Sequence, residues 1–586
     1  MAVYITSVDV RNYRSCKSTA LTLSPYTPIV GRNNCGKSNV VAALQWLVRK
    51  TKLGEEDFNA ADGAVEVIGT LDHITAEDLG VVADKHRKSI EPYIRDGKLS
   101  IKRSQATAAD TAKLSVLNPD NGEWVPNPTG IDNALSELFP EPIHIGAMED
   151  AAEDASKAKT STTIGKLLAA MLETIRDRHD ADLQVHLGAI TSRLSAKGAD
   201  RFAELHDIDA SINTKVKDLF PGVSVRLDFP VPVLEELIKA GTVRVFEDDD
   251  ADGEGRAFNS FGHGSQRAIQ MALVRHLAEL RRGQAIHGGV TLLLIDEPEL
   301  YLHPFAVEHI REALKTLSTS GYQVVFTTHS AQMITPTDAP ATVLMTKTHA
   351  AGTVARKRLS DALNIVVPRA EHQIGLLFEL TNAGQVFFAD RVVLAEGKTE
   401  LRLLPHIFKH ASGRTLGQAG IALVAQTGVN DTKKSMSVLA AMDIPVSAIV
   451  DLDFAFHGGV THGYLQANDP DILACKQLLA QLQPQHGFAL DAAGLPMKNG
   501  GMLPAKVFEL LAAQPGAVAP IQGLAAKLRA QQVWLWTSGA IEAHLGLAGK
   551  TETDWAQFQL DCDQQGLAAS ARDANSITAL VEWMVS

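Results

Sequence analysis

One glycine-rich segment constrains the fold of this chain more than any other feature of the sequence. Residues 31–38 read Gly-Arg-Asn-Asn-Cys-Gly-Lys-Ser, which is the spacing of a phosphate-binding loop. A strand-like run over residues 20–30 precedes the loop, and apolar residues at helical spacing over residues 38–50 follow it. Strand, loop and helix in this order predict an α/β fold whose backbone amides surround phosphate groups.

The residues of the loop have separate predicted roles. Lys37 is placed to reach the outer phosphates of a nucleotide, and Ser38 is placed to bind Mg²⁺. The predicted nucleotide-binding residues of the loop are Gly31, Asn33, Asn34, Gly36, Lys37 and Ser38.

Two later strand ends supply the rest of a nucleotide site. The apolar run 290–295 ends at Asp296, which suits a magnesium-side ligand, and at Glu297, which suits a base that polarises the attacking water. A further run over 323–328 ends before His329. This histidine is placed to sense the terminal phosphate, although a capping pair with Ser330 is an alternative.

The second half of the chain carries carboxylates at two more strand ends. Glu396 follows the run 391–395, and Asp451 and Asp453 follow the run 445–450. Strand-like and helix-like segments alternate here as in a βαβ fold, so these carboxylates should meet at one sheet edge. Two Mg²⁺ ions about 4 Å apart can stabilise both oxygens of a phosphodiester displacement. We therefore predict a divalent-metal site.

Composition limits the class of protein. At 586 residues the chain is too long for one core. A net charge of −13 argues against a basic nucleic-acid coat, though not against a local basic groove. The four cysteines are widely spaced, which fits a reducing cytoplasm. The sequence shows neither a signal peptide nor an apolar run of membrane-spanning length, so no membrane partner is expected.

The motifs divide the chain into five predicted segments. An amphipathic helical pattern interrupts the nucleotide-binding half, and a linker separates that half from the metal-binding half. The predicted boundaries are 1–161 and 220–350 for the two parts of the ATPase, 162–219 for the helical insertion, 351–390 for the linker and 391–586 for the C-terminal domain. The pattern predicts strands at 223–229 and 242–246, and only mixed helices and loops after residue 455.

The nucleotide-binding residues resemble those of ABC-type ATPases of the structural-maintenance and recombination-repair group, over about residues 1–150 and 220–345. In that group a signature motif from a partner subunit completes the ATP site. Residues 261–267 lie where that motif belongs, with His263 at the usual serine position. The resemblance therefore implies that Gly264, Ser265 and Gln266 contact ATP and that the chain assembles with itself.

The second set of carboxylates resembles the Toprim domain of topoisomerases, primases and some nucleases. Glu396-Gly397 and Asp451-x-Asp453 match its two acidic elements, and Glu400 matches a further acid of its nuclease members. Residues 536–542 look like a glycine-x-Ile-Glu element that ends at Glu542.

One residue of this Toprim pattern is missing. The lysine that usually precedes the glycine of the last element is absent, because Thr537 and Ser538 stand there. Lys398 and Arg402 are the candidates for the positive charge.

An ATPase joined to a Toprim domain resembles the OLD family of nucleases, named for overcoming lysogenisation defect, which includes the Gabija nuclease subunit and OLD-type retron effectors. The resemblance implies ATP-regulated, Mg²⁺- or Mn²⁺-dependent DNA cleavage in phage defence and a dimer or dimer of dimers built on the insertion. A helicase partner would suit a Gabija-like system, and a reverse transcriptase with its small RNA would suit a retron; the sequence leaves the partner open. The expected catalytic residues are Glu297, His329, Glu396, Asp451 and Asp453. The expected metal ligands are Glu396, Glu400, Asp451, Asp453, Glu542 and Ser38.

Two other functions remain open from the sequence. The chain could be a DNA-binding recombination or repair ATPase whose Toprim domain is structural, or its nuclease could act on RNA. His406 and His410 lie four apart on a predicted helix, without the intervening glutamate of His-Glu-x-x-His proteases. They could ligate a metal, but without that glutamate we interpret them as surface or packing histidines.

Overall fold

The computed structural model describes residues 3–60, 62–139, 142–146, 179, 181–230, 243–246, 253–281, 290–366, 383–425 and 432–586. The chain divides into two compact units. The first contains Met1–Thr27 and Gly36–Thr328, and the second contains Pro28–Cys35 and His329–Ser586.

The first unit contains an antiparallel sheet of six strands in the order β2-β1-β4-β5-β6-β7. Buried and half-buried residues alternate along β4 and β5, as expected for a sheet with one face on a core. The strands are β1 (Tyr4–Tyr13), β2 (Cys16–Thr22), β4 (Val65–Asp72), β5 (Leu99–Gln105), β6 (Lys113–Leu117) and β7 (Trp124–Pro126).

Parallel strands form a second layer of this unit. Strand β11 (Thr291–Asp296) lies between β8 (Ile143–Ile145) and β12 (Tyr322–Thr328), and every residue of β12 is buried. A short antiparallel pair joins β9 (Arg244–Val245) to β10 (Arg256–Ala257). Helix α1 (Lys37–Val48) packs against both β4 and β12 and so fills the space between the two layers.

Six further helices described in the first unit have the following bounds. They are α2 (Ala76–Val81), α3 (Asp84–Ile90), α4 (Ile131–Leu138), α5 (Ala203–Leu219), α6 (His263–Arg281) and α7 (Pro304–Ser318).

The second unit contains a parallel sheet in the order β16-β15-β17-β18. Alternate residues of β15 face two different apolar clusters: Val392 and Leu394 belong to one, and Val393 and Ala395 to the other. Burial on both faces explains why this strand is a continuous apolar run. The strands are β15 (Arg391–Ala395), β16 (Ile421–Ala425), β17 (Val446–Val450) and β18 (Val533–Leu535).

Three more strands and eleven helices are described in this unit. Strand β3 (Tyr26–Gly31) runs parallel to β13 (Val343–Thr348), which pairs antiparallel with β14 (Gly352–Ala355). The helices are α8 (Leu359–Val366), α9 (Lys398–Ser412), α10 (Thr432–Ala441), α11 (Gly458–Thr461), α12 (Pro470–His486), α13 (Pro504–Ala512), α14 (Val518–Arg529), α15 (Ile541–Leu545), α16 (Glu552–Gln565), α17 (Leu567–Ser570) and α18 (Ala574–Val585).

The secondary structure confirms an α/β fold and corrects two details of the sequence prediction. Residues 223–229 are not a strand. Side chains of α5 take the backbone hydrogen bonds there instead: Asn213 bonds both the N–H and the C=O of Val225, and Asp209 accepts from Leu227. Strand β18 lies in a stretch for which we predicted only helices and loops.

The predicted insertion is described in part. Residues 181–194 and α5 are helical, whereas 162–178 lie outside the described residues. Large apolar side chains are exposed along and after this stretch, including Val185, Leu219 and Phe220. Within the described ranges, no helix combines the length and apolar character needed to cross a bilayer.

A buried glutamine joins the two layers of the first unit. A β-bulge at Ile5–Ser7 interrupts the pairing of β1 with β4. The Gln323 side chain from β12 accepts from the N–H of Ile5 at 2.9 Å and donates to its C=O at 2.8 Å. Gln323 therefore satisfies buried backbone groups that a ladder would otherwise pair.

We predict that Gln323→Leu loosens β1. The change leaves two buried backbone groups of Ile5 unpaired, at about 1–3 kcal/mol each. Hydrogen exchange measured by mass spectrometry should become at least about tenfold faster in peptides that contain β1. Gln45→Leu, at a partly exposed position of α1, is the control and should leave this exchange unchanged. Unaltered exchange in Gln323→Leu would contradict the prediction.

Candidate active sites

The glycine loop has the backbone geometry that its sequence predicts. Gly31 has φ +147°, and an added Cβ would collide with the carbonyl oxygen of Met345 and lie 2.8 Å from Cys35 Sγ. Gly36 has φ +98° and caps the N-terminus of α1. Both positions therefore require glycine, and backbone amides at the start of a helix are groups that bind anions.

Asp296 and Ser38 lie together at the end of β11. The Ser38 hydroxyl donates to Asp296 Oδ1 at 3.2 Å, and the Thr327 hydroxyl donates to the same oxygen at 2.9 Å. Nε2 of His144 is 3.5 Å from the other carboxylate oxygen. Burial opposes ionisation, yet His144 and Thr327 hold the pKa of Asp296 below its usual value. The pair can therefore share a magnesium ion with nucleotide phosphates.

Arg267 fixes the backbone beside these acids. Its guanidinium donates to the carbonyl oxygens of Asp296, of Glu297 at 2.9 Å and of Gly146 at 3.1 Å. Burial lowers the pKa of Arg267 to about 10, so it remains charged near neutral pH. Glu297 itself has φ +48°, a strained conformation for this residue type. Sequence reasoning placed Arg267 in the signature segment but gave it no role.

The remaining predicted nucleotide residues lie at element ends. Gly264, Ser265 and Gln266 are in the first turn of α6, where the Gln266 amide donates to the Phe261 carbonyl at 2.7 Å. His329 directly follows β12. Their contacts with ATP, including those expected from a second copy, stay predictions.

The Toprim acids converge at one sheet edge. Strands β15 and β17 are parallel neighbours, and each ends just before an acid. The backbone N–H of Asp451 donates to Glu396 Oε2 at 3.0 Å. Asp453 lies in the short 3₁₀ helix Leu452–Ala455, which follows β17.

Strand β18 brings the last acidic element to the same edge. It pairs parallel with β17, and the Gly539 carbonyl accepts from the N–H of Leu452 at 2.7 Å. Glu542 then lies in the first turn of α15, where it accepts from the Thr399 hydroxyl at 2.5 Å. Because Glu400 adjoins Thr399, the structure brings together all five acids that the sequence singled out.

Burial makes these carboxyl groups hard to ionise in the absence of a cation. Burial, with repulsion from Asp453, raises the pKa of Glu396 to about 7. Burial, reinforced by Glu396, raises the pKa of Asp451 well above its usual value. Burial also raises the pKa of Asp453 and Glu400. Glu400 accepts a hydrogen bond from Trp536 Nε1 at 3.2 Å.

Three oxygen atoms of this cluster are buried without a hydrogen-bond partner: Asp451 Oδ1, Asp453 Oδ1 and Glu542 Oε2. Buried acceptors are normally paired, and carboxylate oxygens are the ligands that Mg²⁺ and Mn²⁺ prefer. The donor set therefore fits a hard divalent cation.

Lys550 supplies a positive charge at this cluster. Its Nζ lies 3.3 Å from Glu542 Oε1. Partial burial lowers the pKa of Lys550, but the nearby carboxylates of Glu542 and Asp451 raise it by more, so the net shift is upward. The side chain is 60% exposed, so a substrate phosphate approaching from solvent can reach it.

This position adds a third candidate for the missing positive charge. Arg402 points elsewhere, since its Nε pairs with Glu552 at 3.3 Å, and Lys398 is exposed at the start of α9. The distance in sequence from Glu542 to Lys550 matches no known motif. Only the positions of β18 and α15 in the structure show that Lys550 lies beside the acids.

Comparisons with known proteins match both halves of the chain. Residues 27–334 match the family model "AAA domain, putative AbiEii toxin, Type IV TA system". Residues 387–453 match "Overcoming lysogenization defect protein-like, TOPRIM domain". The Old nuclease of Escherichia phage P2 is 36% identical, and the alignment covers 100% of both chains.

The chain belongs to the Old nuclease family.

Two more distant similarities accompany this match. Endonuclease GajA of Bacillus cereus (strain HuB5-5) is 21% identical over 79% of this chain and 76% of its own. A crystal structure of an Smc head domain, bound to a ScpA domain derived from Pyrococcus furiosus, is 12% identical. It covers 62% of this chain and 98% of that one, with a TM-score of 0.35.

Family membership confirms the predicted architecture of an N-terminal ATPase domain and a C-terminal Toprim domain. Such domains use nucleotide and divalent metal ions. The roles of individual residues, and the five predicted segment boundaries, stay predictions.

We predict that Mn²⁺ affinity of this Old-family chain rises with pH. Metal binding requires ionised carboxylates, and protons compete below the Glu396 pKa of about 7. Isothermal titration calorimetry without nucleotide should show affinity weakening as pH falls through that value. Glu396→Gln removes one competing proton and should flatten the dependence. A wild-type affinity that does not change between about pH 6 and 8 would refute this assignment.

We predict that Lys550→Ala slows nucleic-acid cleavage by about ten- to a hundredfold, because it removes the charge beside the acids. Lys550→Arg should recover part of the rate. Lys398→Ala is the matched control and should cleave at close to the wild-type rate. The measurement is initial-rate cleavage of plasmid DNA. Loss of cleavage in Lys398→Ala with normal cleavage in Lys550→Ala would restore the sequence-based assignment.

Proposed function

We propose that this protein is an ATP-regulated, Mg²⁺- or Mn²⁺-dependent DNA endonuclease that acts in defence against phage. The observation that carries the proposal is the group of three buried, unpartnered carboxylate oxygens at the end of β17 and the start of α15. The 36% identity to the Old nuclease supports it. An assembly in the cytoplasm as a dimer, or a dimer of dimers, is part of the proposal.

The Toprim acids would hold the metal. Glu396, Asp451 and Asp453 lie closest to the strand ends, with Glu400 and Glu542 beside them. When bound, the metal ions supply Lewis-acid stabilisation of the attacking and leaving oxygens. Glu396 Oε2 fixes the backbone of Asp451, and Lys550 offsets the summed negative charge that would otherwise repel a phosphodiester.

The first unit would bind and hydrolyse ATP. Lys37 neutralises the outer phosphates, Ser38 and Asp296 share a magnesium ion, and Glu297 polarises the attacking water. Gly264–Gln266 of a second copy complete the site. The exposed Val185, Leu219 and Phe220 support self-association, because large exposed apolar groups often mark interfaces.

Contacts of the phosphate loop support control of the nuclease by ATP. Residues Pro28–Cys35 group with the C-terminal unit. Within it, Arg32 Nη1 is 2.8 Å from Asp390 Oδ2, and the Cys35 carbonyl accepts from the buried Thr353 hydroxyl at 2.9 Å. Asp390 immediately precedes β15, the strand that leads to Glu396. Within the C-terminal unit, these contacts therefore connect residues 32–35 of the loop with the segments around the metal site.

Two alternatives make different predictions. A structural Toprim domain needs no metal, whereas the unpartnered oxygens favour a cation. An RNA substrate would use the same acids, so only substrate choice separates it from the DNA proposal.

We expect Asp451→Asn and Asp453→Asn to abolish plasmid cleavage in Mg²⁺ or Mn²⁺ while ATP binding stays normal. Each change removes a charge that the metal requires. Asp443→Asn, on an exposed turn of the same unit, is the matched control and should cleave normally.

The same assay separates the alternatives. Undiminished cleavage by both variants would overturn the Toprim nuclease. Metal-dependent, Asp451-dependent cutting of RNA but not DNA would establish the RNA alternative instead.

A further inference from the structure

A second group of metal-binding side chains lies apart from the Toprim acids. His406 and His410 are on α9, and Asp563 is on α16. One ligand atom from each of these residues lies within 4.8 Å of the other two. The sequence predicted surface or packing histidines here, and the structure adds a carboxylate from a distant segment.

The spacing of these atoms is that of metal ligands. Nε2 of His410 is 2.9 Å from Asp563 Oδ1, and Nε2 of His406 is 3.3 Å from the same oxygen. Ligands at about 2.0–2.1 Å from a tetrahedral ion lie about 3.3 Å from each other. The imidazole rings are 4.6 Å apart between centroids, on one face of α9.

The site is open enough to exchange an ion with solvent. The exposed fractions are 21% for the His406 side chain, 26% for His410 and 57% for Asp563. Nε2 of His406 also lies 3.3 Å from the Gln559 carbonyl oxygen. That oxygen or a water molecule can complete a tetrahedral set.

We propose that His406, His410 and Asp563 bind a divalent transition-metal ion of the Zn²⁺ class. Two imidazoles and one carboxylate suit such an ion, whereas the all-oxygen Toprim cluster suits Mg²⁺ or Mn²⁺. The two sites therefore select different metals. This inference does not depend on the proposed nuclease function.

The ion would join two helices that also serve the Toprim cluster. The first turn of α9 carries Thr399 and Glu400, and Lys550 stands just before Thr551, which caps α16. The two helices pack against each other. A metal bound between them would fix the position of α9 relative to α16. It would therefore restrict movement of the nuclease acids.

Hydrogen bonds between the three side chains are the alternative to a bound metal ion. Without metal, each histidine Nε2 can donate a proton to Asp563 Oδ1, which gives a hydrogen-bonded cluster with no ion. Metal binding must displace the proton from each Nε2, because the metal ligand is the unprotonated nitrogen.

The test is a Co²⁺ titration of the untagged full-length protein, without nucleotide and with excess Mg²⁺ to occupy the Toprim acids. Visible absorption of tetrahedral Co²⁺ should rise to one equivalent per chain, and one equivalent of Zn²⁺ should abolish it. His410→Ala and Asp563→Asn should lose the absorption. His486→Ala, at the end of α12, is the control and should retain it.

A second measurement does not depend on spectra. Zn²⁺ should raise the thermal unfolding temperature of the wild type and of His486→Ala, and leave His406→Ala/His410→Ala unchanged.

Either of two results would overturn the proposal. One is a wild type that shows no Co²⁺ absorption and no Zn²⁺ stabilisation, which would leave a proton-bridged cluster. The other is full absorption and stabilisation in the histidine variants, which would place the ion elsewhere.

Discussion

The crowding of carboxyl groups at the ends of β15 and β17 is the constraint on which the second half of this molecule depends. Five acids meet there, next to strands that are buried on both faces. Without a cation their charges repel one another, and burial raises the pKa of Glu396 to about 7. Two neighbouring elements offset the repulsion between these charges: the N-terminus of α9 and the lysine that precedes α16. The unpartnered carboxylate oxygens are available to bind a metal ion.

The two sites use one structural principle at different strands. In each, a strand inside the sheet delivers a carboxylate to its C-terminal end. At β11, His144, Thr327 and Ser38 keep Asp296 ionised. At β17, Asp451 Oδ1 and Asp453 Oδ1 are buried without a hydrogen-bond donor, so a cation is needed to offset their charge. The supply of hydrogen-bond donors thus distinguishes the proposed nucleotide site from the proposed metal site.

Sequence reasoning succeeded where local pattern and chemistry coincide. Strands β11, β15 and β17 are apolar runs that end at acids, and Gly31 and Gly36 have conformations that demand glycine. It failed where tertiary packing decides. Strand β18 has only three residues, too few for an alternating hydrophobic pattern to be recognised. Lys550 and Asp563 reach their partners only because α16 packs against α9. At 223–229, side chains of α5 replaced the expected strand partner.

The central claim is that the Toprim edge holds catalytic metal ions. Anomalous X-ray scattering from crystals soaked in Mn²⁺ tests it most directly, because the signal locates the ion without reference to activity. We expect a peak within bonding distance of the unpartnered oxygens of Asp451 and Asp453, and no such peak in Asp451→Asn. A wild-type map with full Mn²⁺ occupancy at the nucleotide site but none at this edge would contradict the account.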